Sequence, residues 1–445
     1  MNHKLNHANI KDWAKNYDGE LFDGILCDPP YELGFMGKSW DSSGIAFDTE
    51  MWADLLRILK PGGHLLAFSG SRTYHRMAVA IEDAGFEIRD MIEWVYGSGF
   101  PKSLNIGKAV DKTLGAEREV IATGFAYGMS KGQADSGYRP ADYESKQLSN
   151  EAITPEAELW NGYGTALKPA HEPCVLARKP IEGTVANNVL KHGTGGLNID
   201  GTRVGTEARY NAFAGNTQGY TQGDDRSEKG SGFWKQKTEG GSETTGRFPA
   251  NLIHDGSDEV VELFPDTGKS AVRNGGSGGS GLYKGSFGDG AVGGYTDSGS
   301  ASRFFYTAKA SKSERNAGLE GFEAVNVLGY EFDPDNPYKS GKMNNSNIHQ
   351  LTIARTGKPP QPQKNHHPTV KPLSLTKYLA TLIKPPTGGR LLVPFSGSGS
   401  EMIGALQSGW EYVEGVELTE EYIPIAEARI KYWLEKENTK QETLF

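Results

Sequence analysis

An α/β fold built on a parallel, doubly wound sheet is the architecture this sequence predicts, on three observations. Over the first hundred positions, short apolar runs alternate with helical patterns of about a dozen residues. The same alternation returns near position 372. Between the two lies a long stretch of weak periodicity and high glycine content. The predicted sheet is therefore assembled from both ends of the chain, with a large irregular, Gly-rich insert projecting from it.

In order, Gly24–Cys27 is a short apolar strand stopped by Asp28-Pro29-Pro30, which can neither extend a ladder nor open a helix cleanly. The helical pattern Thr49–Lys60 ends at Pro61-Gly62-Gly63, and His64–Gly70 reads as the next buried strand. Tyr74–Gly85 is a second helix with Gly85 as its cap, and Phe86–Tyr96 alternates like a strand. Between Lys269 and Ser300, 11 of 32 residues are glycine, so the segment 193–300 is expected to be partly flexible. Towards the end, Leu373–Pro386 is a helix closed by two prolines, Arg390–Val393 a strand and Glu401–Trp410 a helix. Glu411–Leu418 is a further strand, and a long helix follows from Thr419. The expected units are 1–110, an insert over 111–364, and 365–445.

Composition narrows the function classes. No run approaches the ~20 apolar residues that span a bilayer, and the N-terminus lacks a secretory pattern. Two cysteines, Cys27 and Cys174, cannot form a disulfide framework or a zinc site alone, so a reducing cytoplasm is expected. The histidines lack the spacing of metal ligands, and no metal is expected. A net charge of −9 argues against coating nucleic acid through bulk charge. Yet Ser302–Pro372 holds ten Lys/Arg against six Asp/Glu, a local basic surface compatible with DNA.

Two constellations carry chemistry. Asp28-Pro29-Pro30-Tyr31 lies at the carboxyl end of a strand, where open α/β sheets bind ligands. A carboxylate and a proline carbonyl there could accept both hydrogens of a planar amine while Tyr31 stacks on its ring. The same tetrapeptide could equally be a rigid turn. The second is Phe395-Ser396-Gly397-Ser398-Gly399 between a strand and a helix, where glycines admit a ligand close to the backbone. Glu417, eighteen residues after Gly399 and at the end of the next strand, suits a ribose. A dinucleotide fingerprint would need glycine at position 402, where Met402 stands, and this disfavours a nicotinamide oxidoreductase.

These residues resemble the amino-methylating DNA methyltransferases that use S-adenosylmethionine. Asp28–Tyr31 matches their (D/N/S)-P-P-(Y/F/W) signature, Phe395, Gly397 and Gly399 match F-x-G-x-G, and His367–Pro372 matches the segment preceding it. The order is that of the permuted, beta-class members, a build frequent among phage and prophage methyltransferases, some of which belong to restriction–modification systems. The resemblance implies a Rossmann-like, circularly permuted methyltransferase fold. It places the amine at Asp28, Pro29, Pro30 and Tyr31, and the cofactor against Phe395, Gly397, Gly399, Glu417, Thr369 and Lys371. Asn9, with Asp12 as rival, is the counterpart of the family's adenine-reading residue. The expected reaction is methyl transfer to N6 of a flipped-out adenine in double-stranded DNA, leaving S-adenosylhomocysteine, because DPP goes mostly with adenine. N4 of cytosine is the alternative, and from another class a catalytically silent DNA-binding protein. Homodimers occur in the family. Lys38, Trp40, Arg303, Lys309 and Lys312 are candidate DNA contacts.

Overall fold

The computed structural model describes residues 2–33, 39–99, 103–124, 145–211, 242–269, 297–308, 311–324 and 364–442. A nine-stranded sheet organises them. In chain order its strands are β1 (Asn2–His7), β2 (Phe22–Cys27), β3 (Leu59–Phe68), β4 (Glu87–Val95), β5 (His171–Arg178), β6 (Leu252–His254), β7 (Tyr306–Thr307), β8 (Arg390–Val393) and β9 (Tyr412–Glu417). Their spatial order is β1-β9-β8-β2-β3-β5-β4-β6-β7. Strand β5 runs antiparallel to both of its neighbours, and every other pairing in this sheet is parallel. The fold is thus α/β with a parallel-rich mixed sheet, not a wholly parallel one.

Period-2 alternation divides the strands between two apolar layers. Leu26, Leu66 and Leu176 face a core shared with helices α4 (Leu373–Leu382) and α5 (Ser400–Gln407). Ile25, Cys27, Leu65 and Val175 face the opposite core with helices α2 (Thr49–Arg57) and α3 (Tyr74–Asp83). Between β1 and β2 lies the short helix α1 (Ile10–Lys15), and α6 (Ile423–Glu442) closes the chain. Strand β2 is buried along its whole length, as a central parallel strand covered on both faces must be.

Two differences from expectation have local causes. Strand β3 begins at Leu59 instead of His64, because Gly62 N–H donates to the Lys179 carbonyl and Lys179 N–H to Gly63, extending the ladder through the glycines. Strands β5, β6 and β7 come from the segment 111–364 and lie in the main sheet, so that segment does not simply project from it. Of the stretch 193–300, residues 204–211 and 242–247 pair as an antiparallel ribbon; the remainder expected to be flexible falls mostly outside the described residues. Among the described residues no helix is long and apolar enough to cross a membrane.

Candidate active site

Parallel pairing of β1, β9, β8 and β2 brings their carboxyl ends to one edge, and there the loops enclose a cavity of about 410 Å³. Asn9 follows β1, Asp28–Tyr31 follow β2, Phe395 and Gly397 follow β8, Glu417 ends β9, and Thr369 closes one side; all line the cavity. Residues as distant as Asn9 and Glu417 are brought together because a sheet of this topology converges its strand ends.

The glycine turn is built as the motif demands. Gly397 has φ of 49°, and a Cβ there would lie 2.7 Å from His367 Nε2, so a side chain would meet both strain and collision. Gly399, with φ of 82°, packs against Ala426 and Ile430 of α6 and is not among the cavity-lining residues. Each Glu417 oxygen is fixed by a backbone donor: Oε2 accepts from Gly397 N at 2.7 Å, Oε1 from Thr419 N at 2.8 Å. From behind, buried Arg429 donates to the Ser398 carbonyl at 2.5 Å and to Ser398 Oγ at 2.9 Å. Asn9 caps α1, its Oδ1 accepting from Lys11 N at 3.0 Å, whereas Asp12 is absent from the cavity lining.

The Asp28 carboxylate is asymmetrically bound. Its Oδ2 accepts from Lys371 Nζ at 2.6 Å; its Oδ1 is buried with no hydrogen-bond partner among the described residues. Lys371 also donates to Tyr31 Oη at 3.0 Å, and the Tyr31 hydroxyl donates to Glu172 Oε2 at 2.8 Å. Burial pushes the Asp28 carboxyl up, Lys371 draws it back and Glu172 raises it again; the result lies above the usual value. Burial alone would depress the Lys371 ammonium, but Asp28 and Glu172 more than offset this and hold it above its ordinary range. Thr73 Oγ1 anchors the loop by donating to the Tyr31 carbonyl at 2.7 Å. Directly after Tyr31, Glu32 adopts φ of 55°, a left-handed conformation unique among the non-glycine described residues. Its carboxylate accepts from Gly44 N at 2.8 Å, which helps hold that strained backbone.

Several expected residues are placed differently. Lys371 is not among the cavity-lining residues: it is turned into the ion pair with Asp28 because that buried carboxylate needs a counter-charge. Arg303 lies before β7, at the opposite edge of the sheet. Its guanidinium is taken up by Asp297 Oδ2 at 2.9 Å and the Ser300 carbonyl at 2.7 Å, and it stacks over Phe304, which leaves it poorly placed for phosphate. Lys38 and Lys309 lie outside the described residues, and for Trp40 and Lys312 only the backbone is described. Cys27 and Cys174 are buried free thiols, pushed up by burial, so neither is a ready nucleophile.

Three groups at or beside the cavity were given no role of their own from sequence, although His367 heads the matched segment. Glu172 carries no local signal beyond its place at the start of a strand. Glu401, in the first turn of α5, lines the cavity; burial and then Asp28 raise its carboxyl to about 7. His367 belongs to the segment before the glycine turn and also lines the cavity. Burial, with Lys371 and Arg315, lowers it to about 3 and keeps its imidazole neutral.

A family model described as DNA methylase, of N6/N4 type, matches residues 22–428. The type II methyltransferase M.HindIII of Haemophilus influenzae is 24% identical over 153 residues, 34% of this chain and 37% of that protein. The Escherichia coli protein YubD is 36% identical over 91 residues, 18% of this chain and 39% of its own length. The chain thus spans less than two fifths of these curated relatives. Among solved structures, the M1.HpyAVI–SAM complex aligns with 12% identity and a TM-score of 0.35, covering 96% of this chain and 99% of that one. The N4-cytosine-specific PvuII DNA methyltransferase aligns with 10% identity and a TM-score of 0.41, covering 96% and 86%.

Proposed function

Because the chain belongs to this family of DNA methylases, we propose that it methylates the exocyclic N6 of adenine in double-stranded DNA, using S-adenosylmethionine. The observation that carries the reading is the Oδ1 of Asp28, buried with no hydrogen-bond partner among the described residues, in a residue that lines the cavity. A lone buried acceptor costs free energy unless a donor arrives, and a substrate amine is such a donor.

The cavity suits the cofactor on its own chemistry. Gly397 leaves open the space that a side chain would contest with His367, and Asn9, Thr369, Phe395 and Glu417 surround it with polar and aromatic surface. These residues would hold S-adenosylmethionine, Glu417 at its ribose. When bound, that cofactor supplies an electrophilic methyl group on a sulfonium. The protein's part is to prepare the amine. Asp28 Oδ1 and the Pro29 carbonyl accept its two hydrogens, which draws the lone pair out of conjugation with the ring and towards the methyl. Positioning supplies most of the acceleration. Once the nitrogen carries the methyl, its surplus proton passes to Asp28 Oδ1. Tyr31 offers a ring face for the base, which must leave the duplex at a cost of a few kcal/mol. The segment 111–364 supplies target recognition in this reading.

Adenine is preferred over cytosine because Asp28–Tyr31 reads DPPY, the form that goes mostly with adenine in the family that the motifs resemble. Single-molecule sequencing of DNA from cells expressing the chain tests it. N6-methyladenine at a defined sequence is expected. N4-methylcytosine would correct the base while keeping the site, and unmodified DNA would overturn the reading.

A further inference from the structure

Glu172 lies outside every motif of the methylase resemblance, yet topology brings it to the catalytic edge. Because β5 alone runs against its neighbours in the sheet, its amino-terminal end meets the carboxyl end of β3, with Cys174 opposite Phe68. Glu172, two residues earlier and still within β5 opposite Trp94 of β4, therefore lies past the end of β3, at the site. Its Oε2 accepts from Tyr31 Oη at 2.8 Å and lies 3.2 Å from Lys371 Nζ. The ammonium thus has three oxygen partners: Asp28 Oδ2, Tyr31 Oη and Glu172 Oε2. Two of its hydrogens go to Asp28 Oδ2 and Tyr31 Oη, and the ion pair with Glu172 draws the charge away from Asp28 Oδ1.

We propose that Glu172 is a positioning residue for methyl transfer: by holding Lys371 and Tyr31 together, it confines the ammonium to Oδ2 of Asp28 and keeps Oδ1 free for the substrate amine. The inference rests on the function proposed above. Without the Glu172 carboxylate, Lys371 would be free to shift over both Asp28 oxygens and compete with the amine. The groups facing Asp28 are Lys371, Tyr31, Glu172 and Glu401, with the buried thiols of Cys27 and Cys174 nearby. Of these, Glu172 and Glu401 oppose its ionisation while Lys371 favours it.

Glu172→Gln keeps the size and an acceptor oxygen but removes the charge. Its kcat on DNA carrying the methylated sequence should fall roughly 10- to 100-fold, with the KM for DNA and the calorimetric cofactor Kd within about twofold of wild type. The acid limb of kcat should move to lower pH, because the charge that raised Asp28 is gone. Glu172→Asp retains the charge with a shorter reach, so it should lose part of kcat and leave the acid limb in place. Wild-type kcat and acid limb in Glu172→Gln would overturn the inference. So would a loss of cofactor affinity that accounts for the whole loss of rate, since that marks a prop of the cavity wall. A wild-type chain that methylates no amine refutes the proposed function itself, a result distinct from either.

Discussion

Lys371 Nζ lies 2.6 Å from Asp28 Oδ2 across 343 positions of sequence, in an ion pair whose side chains are 4% and 10% exposed. The residue expected at the cofactor is instead the counter-ion of the residue expected at the amine. The pairing leaves the two Asp28 oxygens unequal, one hydrogen-bonded to Lys371 and one without a partner among the described residues. That inequality gives the carboxylate a direction.

Asp28→Asn tests the direction. Lys371 can only donate, so it would hold the amide oxygen and leave the amide NH₂ facing the cavity, a donor set against a donor. Methylation should fall at least roughly 100- to 1,000-fold. Calorimetric cofactor affinity should change by no more than a few-fold. Methyl transfer within about tenfold of wild type would remove Asp28 from the amine.

Lys371→Met tests the pair. It leaves the Asp28 and Glu172 carboxylates facing each other without a counter-charge, and breaking a buried pair in this way costs about 3–5 kcal/mol. Lys371 holds the Asp28 carboxyl down, so its removal lets that carboxyl rise further. If the reaction needs the ionised form, the acid limb of activity moves to higher pH, opposite to the shift expected for Glu172→Gln. Denaturant unfolding and a pH–rate profile check both parts.

Much of this site was legible because its signals are local. Cys27-Asp28-Pro29-Pro30 marks a strand end by apolar residues followed by prolines, and Gly397 and Gly399 mark a turn that side chains could not adopt. Glu172 was not legible, since its role arises from the antiparallel pairing of β5 with β3, and nothing within ten residues of it encodes that partner. Lys371 was legible as part of a motif, but its direction was not, because Asp28 is its neighbour only in space. Arg303 is the converse case. Its basic and aromatic surroundings suggested phosphate, but Asp297, six residues away, had already taken its guanidinium.

Glu401 makes stability depend on pH. Burial and Asp28 raise its carboxyl from 4.5 to about 7, so the folded chain holds this proton more tightly than the unfolded one. The sign is that of a raised acid: no penalty below the unfolded value, and stability lost as pH climbs from there to about 7. The loss levels off above that, at about 3 kcal/mol or less. Glu401→Gln should flatten this decline, unfolding at the same denaturant concentration as wild type in acid and at a higher one in mild alkali. Parallel curves for the two proteins at every pH would show that Glu401 ionises freely in the fold.

Glu417→Gln tests the turn and the cofactor together. Both carboxylate oxygens already accept backbone hydrogen bonds, from Gly397 N and Thr419 N. Glutamine has one acceptor oxygen, so its NH₂ must face one of these donors, and the turn loses a charge-assisted bond worth about 1.5–3 kcal/mol. Because Gly397 lines the cavity, the loosened turn should also reach the ligand. Cofactor affinity by calorimetry should weaken roughly tenfold or more, about 1.4 kcal/mol, while Asp28 and its partners are untouched. Wild-type affinity with reduced stability would confine Glu417 to bracing the turn. Equal losses in both would place the carboxylate where the motif puts it, holding at once the backbone of the turn and the ligand above it.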